Sequence, residues 1–210
     1  MGLREAKKER TRRLIADTAW RLFIERGFER VTVAEVARAV EVSEATVFNY
    51  FPNKEDLFYS RLELFGTRLV DAVATRDAGE SALGAFRRFI LDTSGQLDSV
   101  ASGDGEAAEG LRAANRVIAE SPALLAREQQ AFAANADALA RLFDGDDADP
   151  VTAQAAANAL MGVHRSLIAY VRGRVLSGED LAGLAAEVRE RGERAFALLE
   201  GGLGEYGRRA

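Results

Sequence analysis

Residues 32 to 51 contain two helical segments that are too short to bury a core by themselves. Thr32 and Glu35 have the spacing of a capping box, which marks the start of the first segment. Ser43 predicts an N-cap for a second segment that reaches about Tyr50, so only a tight turn near Glu41–Val42 fits between them. The apolar face of the first segment consists of Val33, Val36, Ala37 and Val40.

A helix precedes this pair and another follows it. Residues 10–26 carry apolar side chains at spacings of three and four, and Gly27 predicts a C-cap. Asn53, supported by Asp56, predicts the N-cap of a long helix that reaches about Thr75. The apolar stripe of the first helix is Leu14, Ile15, Ala19, Leu22 and Phe23, and that of the later helix is Leu57, Phe58, Leu62, Phe65, Leu69 and Val73.

The rest of the chain also has a helical pattern and no strand pattern. The whole chain contains only three prolines, which favours helix, and Ser121-Pro122, Asp149-Pro150 and Ser177-Gly178 mark breaks. Residues 144–147 predict a loop. Further apolar-periodic stretches cover about 80–95, 104–119, 122–143, 150–176 and 180–200. We therefore expect an all-α fold of about nine helices, with a head at 1–53, a helical domain at 54–204 and a disordered tail at 205–210.

Composition excludes several classes of protein. With no cysteine and one histidine, His164, the chain has no disulfide, thiolate metal site or multi-histidine zinc site. No stretch is apolar enough to span a membrane, and no apolar segment follows the basic N-terminus as in a secretory signal. We expect a cytoplasmic protein without a cofactor, and not an enzyme, because no nucleophile motif or phosphate loop is present.

The charge is uneven along the chain. Residues 1–13 hold six basic and two acidic residues, whereas the whole chain has a net charge of -5. The basic end is either a solvated arm or a nucleic-acid contact, and charge alone leaves both open.

Two short helices joined by a tight turn, behind a first helix, form the arrangement of a helix-turn-helix, whose second helix fits the major groove. Residues 11–57 resemble the DNA-binding domain of the TetR family of repressors. Two positions depart from the family pattern: Glu41 replaces the usual Gly, where we expect a right-handed turn, and Phe48 replaces a common Tyr. The matching residues are Thr11, Ile15, Ala19, Leu22, Phe23, Gly27, Thr32, Val33, Val36, Ala37, Val42, Ser43, Thr46, Val47, Phe48, Tyr50, Phe51, Lys54 and Leu57.

The resemblance implies roles for the polar positions. Thr46 and Lys54 correspond to phosphate contacts, and Thr32 is a third candidate. Thr32 and Ser43 are alternatively helix caps, Tyr50 is alternatively half-buried, and we expect Phe51 and Trp20 to pack in the core. Arg10, Arg12 and Arg13 either reach phosphates or are solvated. Ser43 is a further candidate for DNA contact, and the face that would read bases consists of Glu44, Ala45, Phe48, Asn49 and Tyr50.

The resemblance also implies a homodimer on a palindromic double-stranded operator, paired through helices 150–176 and 180–200. The alternative is that both are core helices of one chain. The residues assigned to this interface are Ala153, Ala155, Ala156, Ala157, Ala159, Leu160, Val163, Leu167 and Val171, with Leu181, Leu184, Val188, Ala195, Phe196 and Leu199.

A small-molecule effector is implied between the helices of the larger domain. His164 and Arg165 either orient a carboxylate or phosphate of such a ligand, or are exposed or satisfied within the core. Residues 117–125 are similar to a subset of the family associated with acyl-CoA-like ligands, which favours an apolar or acyl-type effector. The alternative function is a ligand-independent activator or architectural DNA-binding protein. The apolar lining candidates are Phe86, Phe89, Ile90, Leu111, Phe132, Met161 and Tyr170.

Overall fold

The computed structural model describes residues 2–60, 63–92, 95–143 and 149–203. These ranges contain only helices, as predicted, and no strand. The predicted loop at 144–147, the predicted tail at 205–210 and Leu62 lie outside the described residues. The helices are α1 (Leu3–Arg26), α2 (Val33–Ala39), α3 (Glu44–Tyr50), α4 (Lys54–Tyr59), α5 (Glu63–Ala74), α6 (Ala82–Asp92), α7 (Gly95–Ala101), α8 (Gly105–Glu120), α9 (Pro122–Phe143), α10 (Pro150–Leu176) and α11 (Leu184–Leu203).

Eleven helices are described, where the sequence predicted about nine. The helix predicted from residue 53 to 75 is described as α4 and α5, with Ser60 as the C-cap of α4. The short helix α7 was not predicted separately from the preceding helix.

The predicted helix ends are confirmed where local hydrogen bonds define them. The Gly27 N–H donates to the Phe23 carbonyl over 2.8 Å, and its φ of 84° suits glycine. The Asp149 carboxylate accepts a hydrogen bond from the Thr152 N–H over 2.8 Å, directly before Pro150.

The chain divides into two compact units. Unit 1 consists of residues 1–64 and 116–127, and unit 2 of residues 65–115 and 128–210. The domain boundary predicted after residue 53 stays a prediction, and α4 packs in unit 1 through Leu57 and Phe58.

Unit 1 has an aromatic core. The rings of Trp20 and Phe58 lie 5.0 Å apart, as do those of Phe23 and Phe28, and Phe51 is fully buried beside them. The packing predicted for Trp20 and Phe51 is thereby confirmed. Leu14, which was predicted to face inward, is 53% exposed. The buried stripe is centred on Ile15, so its neighbour, about 100° away around the helix, points outward.

The segment 116–127 completes unit 1, although it is distant in sequence. Its buried residues Val117, Ile118 and Leu124 join the core of the N-terminal helices. The Tyr59 hydroxyl donates to the Leu124 carbonyl over 3.0 Å, and the Ser121 hydroxyl lies 2.6 Å from a Glu29 carboxylate oxygen.

Unit 2 buries a second apolar core, to which α5, α6, α9, α10 and α11 contribute. The residues predicted to form a dimer surface are mostly inside this core or a smaller cluster beside it, and that assignment of residues is wrong. The reason is that the apolar stripe of each helix is used within the chain. Buried members are Ala153, Ala156, Ala157, Leu160, Val163, Leu167, Leu181, Leu184 and Phe196. Among the described residues, no helix is both long and apolar enough to cross a membrane.

Candidate functional site

The start of each helix in the α2–α3 pair is fixed by a cap. The Thr32 hydroxyl oxygen accepts a hydrogen bond from the Glu35 N–H over 3.2 Å, and the Thr32 N–H donates to the Glu35 carboxylate over 2.8 Å. The Thr32 N–H and, next, the Thr32 hydroxyl donate hydrogen bonds to the Glu35 carboxylate, and these two bonds lower the pKa of that carboxyl. The Ser43 hydroxyl accepts from the Thr46 N–H over 3.1 Å. The predicted capping box and N-cap are confirmed.

The turn between these helices contains a strained residue. Glu41 has a φ of 57°, and no other non-glycine residue in the described ranges has a positive φ. The Val42 N–H donates to the Ala37 carbonyl over 3.0 Å and closes the turn around it. The expectation of a right-handed conformation at Glu41 is wrong. A left-handed conformation costs a residue with a Cβ roughly 1–2 kcal/mol.

Helix α3 has one buried side and one exposed side. Val47 and the following Phe51 are buried in unit 1, and they anchor the helix. Tyr50 is half-buried, as one of the two sequence interpretations expected, and Phe48 is 46% exposed. The exposed candidates are Ser43, Glu44, Ala45, Phe48 and Asn49.

Lys54 lies against the aromatic core rather than free in solvent. Its Nζ atom is 4.2 Å from the centroid of the Phe28 ring and 5.8 Å from that of Phe23. Burial lowers the pKa of the Lys54 ammonium, and the Glu29 carboxylate acts in the opposite direction. The charge is therefore held in place by cation–π contacts.

The N-terminal turns of α1 lie beside α3. The helix begins at Leu3, so the basic segment is folded and not an extended arm. The Arg12 guanidinium lies 5.0 Å from the centroid of the Phe51 ring. Lys8 was not singled out in the sequence, although its spacing of four from Arg12 predicts the same helix face. A cleft of about 450 Å³ is lined by Glu5, Lys8, Glu9, Arg12, Asn49 and Tyr50.

The structure brings together part of the predicted effector site. In unit 2 Phe89, Phe132 and His164 form a row of rings with Phe65, which sequence reasoning took only as an inward residue of its helix. Phe86 packs separately on Phe196. Two of the remaining candidates, Ile90 and Met161, lie in the main apolar core of unit 2. Leu111 and Tyr170 lie in the smaller apolar cluster.

A surface cleft of about 440 Å³ lies between α9 and α10. Of the predicted effector contacts, Phe132 and Arg165 line it, and the Arg165 guanidinium lies 5.9 Å from the centroid of the Phe132 ring. One wall carries an ion pair, in which Arg172 donates two hydrogen bonds to Glu128 over 3.0 and 2.6 Å. Across the described part of the chain, no cluster of His, Cys, Asp and Glu side chains could hold a metal ion.

The N-terminal part of the chain is similar in sequence to known proteins. Residues 15–60 match the family model of bacterial regulatory proteins, tetR family. The chain is 34% identical over 131 residues to the HTH-type transcriptional regulator TcmR of Streptomyces glaucescens, which covers 60% of this chain and 55% of TcmR. It is also 34% identical over 74 residues to the nucleoid occlusion factor SlmA of Haemophilus influenzae, covering 35% of this chain and 34% of SlmA. The chain thus spans about half of the length of TcmR and about a third of the length of SlmA.

Solved structures extend the similarity of fold to most of the chain. A SmeT–triclosan complex matches with a TM-score of 0.55 and 17% identity, over 91% of this chain and 90% of SmeT. NalD of Pseudomonas aeruginosa, the secondary repressor of the MexAB-OprM multidrug efflux pump, matches with a TM-score of 0.50 and 19% identity, over 90% of this chain and 97% of NalD. At these identities the likeness concerns the fold alone.

Proposed function

We propose that this chain is a TetR-family transcriptional repressor that binds a palindromic operator as a dimer and is released by a small-molecule effector. The family and the regulatory class are supported by the match of residues 15–60 to the tetR family model and by the 34% identity to TcmR over 131 residues. The operator contacts, the dimer and the effector are our own proposals.

The observation that carries the proposal is the two-sided packing of α3. Val47 has no exposed surface, whereas Phe48 and Asn49 next to it are exposed on a short helix with fixed ends. A helix held from behind in this way can present its outer face to base edges in the major groove. Asn49 is suited to adenine and Glu44 to cytosine, while Phe48 suits the methyl group of thymine.

Phosphate contacts would surround this face. Thr32 and Ser43 are caps, and the Thr46 hydroxyl shares a hydrogen bond with the Ser43 hydroxyl, so phosphate contacts from these three residues would add to hydrogen bonds that the fold makes. Tyr50 and the half-buried Lys54 are the other proposed contacts in this set. Such contacts would set the position of the head on the duplex without reading sequence.

Dimerisation is proposed through the outer faces of α10 and α11, since their apolar stripes are used inside unit 2. Val151 is 76% exposed and Leu198 is 84% exposed, so both side chains are available for contact with a second copy of the chain. Near Val151 the surface of α10 carries the small or polar residues Gln154, Ala155 and Asn158, which would allow close helix approach.

The proposed effector would bind in unit 2 at the predicted contacts Phe89, Phe132, His164 and Arg165. Support comes from SmeT, a structural neighbour described as a complex with triclosan. The acyl-CoA-like class gains no support from residues 117–125, because Val117, Ile118 and Leu124 pack in the core of unit 1.

The test is selection of bound duplexes from a random DNA pool. We expect a palindromic site bound with salt-sensitive affinity, and a changed base preference for Asn49→Ala. Glu25→Ala, at an exposed position of α1, serves as the control and should select the wild-type site. Failure of the wild-type protein to enrich any sequence would refute operator binding. Enrichment that no compound reverses would favour a ligand-independent activator or architectural protein.

A further inference from the structure

Four aromatic rings from four helices stand in a row inside unit 2. The ring centroids of Phe89 on α6 and Phe65 on α5 are 5.2 Å apart in a T-shaped contact. The Phe65 ring stacks on His164 of α10 at 5.2 Å with an interplanar angle of 27°. Phe132 of α9 makes a T-shaped contact with His164, with the ring centroids 5.6 Å apart. The one polar ring is therefore enclosed by apolar ones.

His164 keeps an unused hydrogen-bonding atom in this row. The side chain is only 7% exposed, and its Nδ1 atom has no hydrogen-bond partner among the described residues. A buried polar atom without a partner is destabilising, so an apolar side chain would suit the core better. An imidazole at this position therefore points to a partner that binds from outside.

The charge state of the ring restricts that partner. Burial lowers the pKa of His164 to about 4, so the imidazole is neutral at pH 7. A neutral imidazole has one donor nitrogen and one acceptor nitrogen, and the tautomer decides which is which. A hydroxyl group both donates and accepts, so it pairs with Nδ1 in either tautomer. A carboxylate would instead bring an uncompensated charge into apolar surroundings.

A route to this nitrogen starts at the cleft between α9 and α10. The cleft, of about 440 Å³, is within the size range of small-molecule sites. Phe132 lines the cleft and also contacts the His164 ring, so one aromatic ring separates the open space from the buried imidazole.

We propose that His164 Nδ1 is the hydrogen-bonding point for an aromatic hydroxyl compound, which enters from the cleft by displacing Phe132 and packs against Phe65. The ring of the ligand replaces the contact between Phe132 and His164, and its hydroxyl forms a hydrogen bond with Nδ1. This inference rests on the proposed function, because it names the chemical class of the effector.

The test compares 2-naphthol with 2-methylnaphthalene by titration calorimetry on the full chain without DNA. The two probes share a ring system, but the hydrocarbon neither donates nor accepts a hydrogen bond. We expect 2-naphthol to bind about tenfold or more tightly than the hydrocarbon. His164→Phe keeps the ring stacking and should lose about tenfold in affinity for 2-naphthol, with little change for the hydrocarbon.

His164→Leu provides a smaller replacement in case the phenyl ring does not pack, and it should show the same selective loss. Leu176→Ala, at the exposed end of α10, is the matched control and should bind both probes like the wild type. Equal affinities of the two probes, undetectable binding of 2-naphthol, or unchanged binding by both His164 variants would overturn the inference.

The entry route has its own measurement. Phe132→Ala removes the ring between the cleft and His164, so the association rate of 2-naphthol in stopped-flow mixing should rise severalfold. An unchanged or slower rate would exclude this route. Because none of these measurements contains DNA, a failure of operator binding is recognised separately in the selection experiment.

Discussion

Arg127 Nε lies 2.8 Å from Asp56 Oδ1, and the two side chains are only 23% and 12% exposed. The pair joins the beginning of α9 to the first turn of α4, over a separation of 71 residues. Both residues belong to unit 1, so the ion pair ties a late segment of the chain to the head.

Breaking this pair should destabilise unit 1. We expect Arg127→Met to lower the free energy of unfolding by about 2 kcal/mol, because it leaves the Asp56 carboxylate mostly buried without its cation. The double variant with Asp56→Asn should cost less than the sum of the single variants in urea denaturation. Strict additivity would show that the two side chains do not interact energetically.

Relieving the turn at Glu41 should stabilise the protein. Glycine adopts a φ of 57° without the Cβ penalty, so Glu41→Gly should gain about 1 kcal/mol and raise the Tm by roughly 2–4 °C. Glu190→Gly places the same substitution at an exposed position within α11, where it should lower the Tm. A lower Tm for Glu41→Gly would contradict the assignment of strain.

Lys54 allows a test of phosphate contact through salt dependence. Lys54→Ala should weaken binding to all duplexes and reduce the slope of log K against log salt by about one. Lys54→Arg keeps the charge and should keep the slope. If the alanine variant retains the wild-type slope, the ammonium interacts only with Phe28 and Phe23.

The buried imidazole predicts a pH dependence of stability. The pKa of His164 is about 4 in the folded chain and 6.5 in its ordinary state, so between these values the unfolded chain binds more protons. Stability is therefore lost as the pH falls from about 6.5 to about 4, by about 3 kcal/mol. Other groups titrate too, so the measured quantity is the difference between wild type and His164→Phe across this range. Parallel curves would refute the prediction.

The proposed dimer face can be tested by charge. Leu198→Glu should convert the protein from dimer to monomer in sedimentation equilibrium, because the carboxylate would be buried at the contact. Leu142→Glu alters another exposed leucine, which is 37% exposed on α9, and should leave the dimer intact. A dimer that persists in the Leu198 variant would place the interface elsewhere.

Features that depend on a few consecutive residues were predictable. The caps at Thr32, Ser43, Asn53 and Asp149 were identified because each bond joins residues three apart in sequence. The spacing of apolar residues likewise predicted that Val47 lies on the inward face of α3, and Val47 is buried.

Features that depend on distant residues were not predictable. The conformation of Glu41 follows from the packing of two helices, and the exposure of Leu14 from which side of α1 the core occupies. The row from Phe89 to Phe132 joins four helices, so helical periodicity identified its members without showing that they meet.

The contribution of Val117, Ile118 and Leu124 to the N-terminal core bears on protein engineering. A chimera that grafts residues 1–64 alone onto another protein would lack these three residues. The aromatic core around Phe58 would then be partly exposed to solvent and prone to aggregation. A transferable version of unit 1 would have to include residues 116–127 as well, although they are encoded far downstream of residues 1–64.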